Sequence, residues 1–500
     1  MRRKTTYGDL NPLRPDLSNV PEAYAETIQD LFDTWTSVRA RNKVLRDYYE
    51  MKKGVENLGI SIPPTLKATN CVTGWCAKAV NARANRSIFD GYVFGGAEDA
   101  RLKRLVRENR LRSKYRQACA SALVYGVSAL TVMRGRAGQP DVMVRAFSAN
   151  QFCALWDKDA ERIGAGVVLA DVDRKGNPSR YVVHLPDAVL TLSAPEAGTA
   201  WECAAEPNPM GRPLMELIVN DPDPDRPLGH SLLTPELLGI VDKAMRDVFR
   251  MELGAEFFTF PQRYILGADE ELFTVPSGED GEEDEDGDED GETTRVPSPI
   301  ARFNAYIGSW LALTRDEDGE LPQVGQFSPM SAENFTKVFE NDAQRFSGAT
   351  NIPLAQLGVL SNTYTSSDAL GAANDPLILD VERINAVNGE AMENVARMML
   401  CVADGVSYSE LDDASKAVQA VFKDPSMPTI AARADAFTKI GGSDSGLVGT
   451  PVWYEGLGFD QATIDRIEAQ TTEMGAIASL NAIAETVEAN ALRAAGTDGA

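Results

Sequence analysis

The amino-acid sequence predicts an α+β fold that is mainly helical, and three observations carry that expectation. Long stretches repeat apolar residues at the 3.6-residue period of a helix, above all 235–258, 331–348 and 374–403. Another stretch, Val127 to Leu192, shifts toward a period of two, with Gly, Pro and Asp between its runs, as strands and hairpins have. The third is size: 500 residues with 43% apolar content can bury large cores. By length alone the chain makes about three domains or one elaborated architecture.

Taken in order, Pro21 to Met51 places Ile28, Leu31, Phe32, Trp35, Val38 and Leu45 on a helical stripe that Gly54 closes. After a Pro63-Pro64 turn, Asn70 to Ile88 reads as a second helix. Its Arg83 and Arg86 sit near the C-terminal end, where cations suit the helix dipole, so a solvated face or a cap is expected there. Arg101 to Gly126 reads as one amphipathic helix, its apolar side running from Leu102 to Tyr125 and its Arg and Lys residues on the outer face. Strands follow, then a turn cluster at Pro207 to Pro213 and the irregular segment DPDPDRPLGHSLL. The helix Pro235 to Phe258, with Leu238, Val241, Met245, Val248 and Phe249 on its stripe, should be roughly 36 Å long.

Short strands such as QRYILGA and ARFNAYIGSWLALT then surround an acidic run, Gly278 to Glu292. From Phe327, Ser328 can cap a helix, Pro329 suits its first position, and Phe335, Val338, Phe339, Ala343 and Phe346 recur at helical spacing up to a stop near Gly348. A Pro and Gly break and the small polar run Ser361 to Ser367 hang between this helix and the next, which begins near Asn374. The tail is Ala-rich and helical in pieces, including SELDDASKAVQAVF, IAARADAFTKIGG and TPVWYEGLGFDQATIDRIEAQTT.

The formal net charge is -25, and 11 of the acidic residues lie in the run 278–292, which leaves about -14 for the rest. Such a balance argues against a phosphate-binding surface over the whole molecule. Like-charge repulsion in a run without apolar residues favours a disordered surface loop, and the ligand order of an EF-hand is not matched. Met1-Arg2-Arg3-Lys4 has no apolar core after it, so no secretion signal is expected, and no uncharged apolar run is long enough to span a bilayer. Six scattered cysteines without a CxxC pair fit reduced, buried thiols in a cytosolic compartment.

Chemistry is hard to find in this sequence. It holds no GxxxxGK[ST] loop, no GxSxG elbow and no HExxH helix. With only His184 and His230, a His-based metal cluster or general base has little material, and His230 in PLGHS is expected to hydrogen-bond within a turn. Carboxylate pairs are too common by composition to identify an acid. No catalytic residue, metal or cofactor is therefore assigned.

The order of elements is more informative. A long helix ending AEFFTFPQRYILG, a small β module with an acidic insertion, VGQFSPMSAENFTKVFENDAQRFSGATNIPLAQLG, a polar loop and SSDALGAANDPLILDVE follow one another. With the PLGHS turn and the ALVYGVSALTV run, this resembles the portal proteins of tailed bacteriophages over about Tyr48 to Met398. The resemblance implies a portal fold with a mixed α/β wing over 1–230, a stem helix at 231–260, and a β-containing clip at 261–326 that carries the acidic insertion 278–292. It further implies a second stem helix at 327–350, a tunnel loop region at 351–373, a long wing or crown helix at 374–403, and a helical crown with the C-terminal tail at 404–500. Met245, Phe249, Phe335, Phe339 and Phe346 fall on the stem helices, and Ser361, Asn362, Thr363, Tyr364, Thr365, Ser366 and Ser367 become the DNA-facing loop.

Function and partners follow from the same resemblance. It implies a homo-oligomeric ring, usually of twelve subunits, at one capsid vertex of the virion, assembled in the host bacterial cytoplasm. The ring is the conduit for packaging and ejecting double-stranded DNA, which it does not read by sequence. Its partners are the major capsid and scaffolding proteins, the large subunit of terminase, which hydrolyses ATP as the packaging motor, and then a head-tail adaptor; no membrane is involved. An acidic channel wall would repel the polyanion and let it slide. Two other readings stay open, another phage structural protein such as a minor capsid component, and a metal-dependent hydrolase using the carboxylate-rich segment.

Overall fold

A computed structural model of the chain describes residues 15–54, 71–94, 100–195, 200–208, 210–259, 263–266, 274–276, 295–297, 323–326, 333–359, 371–426, 428, 430–443, 446–459, 463–472 and 474. The chain divides after Pro425 into two compact units. Among the described residues no helix is long and apolar enough to cross a membrane.

Helix α1, Glu22–Tyr49, serves two cores. Its first half buries Ile28, Leu31, Phe32 and Trp35 on one face of a five-stranded antiparallel sheet, while Leu45 and Tyr48 join the main core. The sheet is a meander of β4 (Phe152–Asp157), β5 (Arg162–Val172), β6 (Pro178–His184), β7 (Ala188–Ser193) and β8 (Glu202–Pro207). Strand β5 explains why GAGVVLA is apolar throughout. Val167 and Leu169 point to the α1 side and Val168 and Ala170 to the main core, so a period of two buries both faces. Phe32 meets the Tyr181 ring edge-on at 5.1 Å, and each such buried side chain stabilises the fold by about 1.5–3 kcal/mol.

The main core is built on a three-stranded sheet in the order β3-β2-β9, with β2 at Val127–Arg134, β3 at Val142–Ser148 and β9 at Met215–Val219. The single helix expected over Arg101 to Gly126 is in fact two, α3 (Ala100–Glu108) and α4 (Leu111–Tyr125). The break is made by buried Asn109, whose amide donates to the Val142 carbonyl at 2.9 Å and accepts from Val144 N–H at 2.7 Å, while Arg110 turns left-handed at φ 51°. A side chain that pairs with strand backbone in this way outcompetes one turn of helix.

Helix α4 enters β2 through Gly126, which the PLGHS turn touches. A Cβ on Gly229 would lie 2.5 Å from the Asn220 carbonyl oxygen, and φ there is +73°, so glycine is required for this close approach. Leu232 N–H donates to the Leu123 carbonyl at 2.9 Å, and Ser231 Oγ donates to that of Val124 at 2.6 Å. Two motifs more than 100 residues apart are thereby clipped together. His230 is bonded within its own turn, Nε2 to Asp223 and Nδ1 to Arg226, as expected.

The helix Asn70 to Ile88 contracts to α2, Trp75–Ala84. After it, β1 (Phe89–Phe94) pairs antiparallel with β14 (Val418–Phe422). The segment SELDDASKAVQAVF is thus not one helix; only the turn Asp413–Lys416 is α-helical, and Val418, Val421 and Phe422 form the strand, with Phe422 5.7 Å from the Phe89 ring. Strand β14 lies in the first unit, which ends at Pro425. Five of the six cysteines are buried and all six are free; burial pushes the Cys76 and Cys153 thiols up to about 12. Within the second unit, Ile430–Ser443 and Pro451–Leu457 are helical, and Phe437 meets Trp453 edge-on at 5.5 Å.

Candidate functional site

Helix α5, Pro235–Thr259, leads into β10 (Arg263–Leu266), and the antiparallel partner β13 (Gln323–Gln326) leads back to helix α6, Glu333–Thr350. Inside this excursion β11 (Thr274–Pro276) pairs with β12 (Arg295–Pro297), which brackets the acidic run. The run 278–292 itself, and the expected strand 301–314, lie outside the described residues.

The two helices pack on each other and on α2. Met245 and Phe249 of α5 and Phe346 of α6 are buried, while Phe335 and Phe339 are half-buried. Trp75 of α2 lies 5.1 Å from the Phe339 ring and 5.4 Å from that of Phe346, so it draws these two together. Within the chain these apolar residues are packing positions. The faces the helix pair leaves exposed carry Glu236, Arg250 and Glu252 on α5 and Glu333, Lys337 and Arg345 on α6, three acids and three bases.

A charge cluster locks the pair. Asp342 is fully buried on α6, and both its carboxylate oxygens accept from Lys243 Nζ of α5, at 2.6 and 2.7 Å. Lys243 also bonds Asp247 one turn on, at 3.1 Å, and Arg250 bonds Asp247 at 2.7 Å. Burial pulls the Lys243 ammonium down, but the hydrogen bonds to Asp342 and Asp247 outweigh it and leave its pKa raised. Burial pushes Asp247 up, and Lys243 with Arg250 more than reverses it. The sequence carried a signal for this cluster: Phe335, Phe339, Asp342 and Phe346 are spaced 4, 3 and 4 apart, so Asp342 falls on the apolar stripe and must find a partner.

The second feature is the base of the polar loop. Helix α6 runs two residues past Gly348 and ends where Asn351 turns left-handed at φ 53°; Gly348 is exposed within the helix. Arg83 of α2, only 4% exposed, donates to the Thr350 carbonyl at 2.7 Å and to Asp380 at 2.6 Å. Asp380 belongs to helix α7, Asp375–Asp404, and also accepts from Asn351 at 3.1 Å. Arg86 donates to Asn374 at 3.3 Å, and Gln356 donates to the same oxygen at 3.0 Å. Burial pulls the Arg83 guanidinium down while Asp380 pulls it back up.

Arg83 is therefore not a solvated residue but the tie between α2, the end of α6 and the start of α7. Both stems of the loop are bonded to one helix. Ser361, Asn362, Thr363, Tyr364, Thr365, Ser366 and Ser367 lie outside the described residues. Helical period could place Arg83 near a helix end, but a bond across 267 residues of sequence has no local signature.

The fold is an α+β body that carries a helix pair, the two helices joined through small strands. Residues 28–446 match the family model described as phage portal protein, SPP1 Gp6-like, and the chain belongs to that family. It is 27% identical over 421 residues to the portal protein of Mycobacterium phage D29, covering 80% of this chain and 79% of that one. A second relative, the portal protein of Mycobacterium phage L5, is 27% identical over 410 residues with the same shares covered. Among solved structures, the neck of an empty GTA particle computed with C6 symmetry is similar at a TM-score of 0.41 and 14% identity, over 77% of this chain and 90% of that one.

Proposed function

We propose that this portal protein closes into a ring, usually of twelve copies, at one vertex of the capsid, and that double-stranded DNA is packaged and ejected through it. The observation that carries the reading is the mounted helix pair: α5 and α6 present one continuous element per subunit, locked by Lys243 and Asp342 and held at its base by Arg83. Repeated around an axis, such pairs line a channel, and head-to-tail contacts between identical subunits close when their rotation closes.

In this reading the balanced charge of the exposed helix faces offers no fixed run of cations to hold phosphates, so DNA slides. The loop from Ser361 to Ser367 makes the short-range contacts, with Asn362, Tyr364 and Thr365 as its reaching side chains. The strand module between the helices is the docking end for the terminase large subunit and later for the head-tail adaptor. Major capsid and scaffolding proteins meet the wing, and assembly takes place in the host cytoplasm before the protein resides in the virion.

Electron microscopy and native mass of the purified chain test the ring: a central hole with radial symmetry and a mass of about a dozen chains is expected. A monomer at every concentration, with or without scaffolding protein, overturns it. Replacing Asn362, Tyr364 and Thr365 by Ala should leave the ring intact and change DNA packaging or retention. Unchanged packaging removes the role given to the loop.

A further inference from the structure

Away from the helix pair, a cavity of about 910 Å³ opens between the three-stranded sheet, one face of the five-stranded sheet and the C-terminal end of α7. Its floor is aliphatic and thioether, with Met133, Met143, Val182, Val189, Leu214 and Val402. Around that floor stand four arginines, Arg134, Arg136, Arg145 and Arg180, against two carboxylates, Asp171 and Glu206. In a chain of net charge -25, a pit with two more cations than anions needs a reason.

The fold uses only part of these guanidinium groups. Arg180 pairs with Asp171, yet its Nε is buried with no partner among the described residues. Arg145 donates to the Ala170 carbonyl at 3.0 Å and lies over the Phe147 ring, and Arg134 donates to the Val402 carbonyl at 3.5 Å. Burial pulls the Arg180 guanidinium down; Asp171 opposes this, and Arg136 and Arg145 add to it. Gathering like charges in a half-enclosed pit costs free energy that a bound anion returns, and the planar fork of arginine fits a carboxylate through two parallel bonds.

The walls narrow the ligand further. Among the described residues that line the pit none is aromatic, so they offer no platform for a nucleobase. Its volume, at the upper end of the range for small-ligand pockets, holds several side chains at once. Guanidinium groups beside an aliphatic floor match carboxylates placed next to aliphatic side chains.

We propose that this cavity is a docking site for an acidic segment of another polypeptide, in which carboxylates alternate with aliphatic residues. The occupant's carboxylates bond Arg134, Arg136 and Arg145, and its aliphatic side chains cover Met143, Val182 and Val189. The site is independent of the ring reading, because every residue of it belongs to one subunit.

The test uses the full chain and a fluorescein-labelled peptide of alternating Glu and Leu, followed by fluorescence anisotropy. Saturable binding is expected, weakening as salt rises, and no binding of an alternating Lys and Leu peptide. The double substitution R134E/R136E, on an exposed hairpin, should weaken binding by about tenfold or more. T191E, which places a carboxylate in the pit from β7, should do the same should the hairpin variant fail to fold. The proposal is overturned by the absence of saturable binding, or by retention of affinity within about threefold in the folded variants. An alternating Glu and Ser peptide binding equally well, or inorganic phosphate displacing the probe at matched charge, also overturns it, since the pit would then be a general anion site.

Discussion

Removing Lys243 should cost far more than removing it together with Asp342. Asp342 has a side-chain exposure of 0%, and both its oxygens are bonded to the one ammonium, so K243M leaves a buried carboxylate facing an apolar group. Breaking such a pair costs about 3–5 kcal/mol. Lys243 itself is 37% exposed, and water can reach the place it vacates, so the lower end, about 3 kcal/mol, is expected. Asp247 keeps Arg250 at 2.7 Å and adds little to the loss. In K243M/D342L the carboxylate is gone and a side chain of similar volume meets the methionine, so stability should return to the wild-type level or exceed it by about 1–4 kcal/mol. Urea midpoints of the wild type, both single variants and the double variant close the cycle. A loss of less than about 1 kcal/mol in K243M, or a double variant no more stable than K243M, would refute the claim that a buried pair locks the helices.

Two groups, fully buried His184 and partly buried Glu216, should give opposite pH dependences that hide each other. Burial pushes Glu216 up to about 7 against the opposing Arg212, so its contribution is present below about pH 4.5 and is lost as pH rises through 7; burial drives His184 down to about 4, so its contribution is present above about pH 6.5 and is lost as pH falls through 4. Each is worth about 3 kcal/mol at full effect, so relative to wild type E216Q should gain stability on going from pH 4.5 to 7 and H184L on going from pH 6.5 to 4; parallel urea-midpoint profiles for all three proteins rule this out. At the base of the loop, R83M should lose about 3 kcal/mol and speed amide exchange over Asn351 to Leu357, with R83K recovering part of both; unchanged exchange would mean that Arg83 does not hold the stem.

Much of this molecule was legible where one residue period ran long enough. Helices α5, α6 and α7 follow from apolar stripes, and the β meander follows from alternation between glycine and proline breaks. The missed elements share a cause: their determinants are distant in sequence. Asn109 breaks a helix because strand β3 offers its amide a donor and an acceptor. The stretch Val418–Phe422 is a strand because β1, more than 300 residues earlier, supplies the ladder, although the preceding DDASK favours a helical turn. Polar ties were harder still. Asp342 left a trace, a carboxylate on an apolar stripe, whereas Arg83 looked like any cation near a helix end.

How the loop is mounted decides what a force on it can do. A hinge needs stems that open at low cost, with few buried contacts and exposed backbone bonds. The stems here have the opposite character. On the α6 side, Thr350 is fully buried and its carbonyl accepts from a guanidinium that is only 4% exposed; on the α7 side, Asp380 takes the other bond of that same group. Arg86 adds a bond to Asn374, seven positions beyond Ser367. Since α2 also carries Trp75 against Phe339 and Phe346, moving either stem relative to α2 breaks charged bonds and aromatic packing at once. Load that separates the two stems therefore passes into α2 and the core around it before it can bend the helix pair, which makes the base formed by Arg83, Thr350 and Asp380 a fixture.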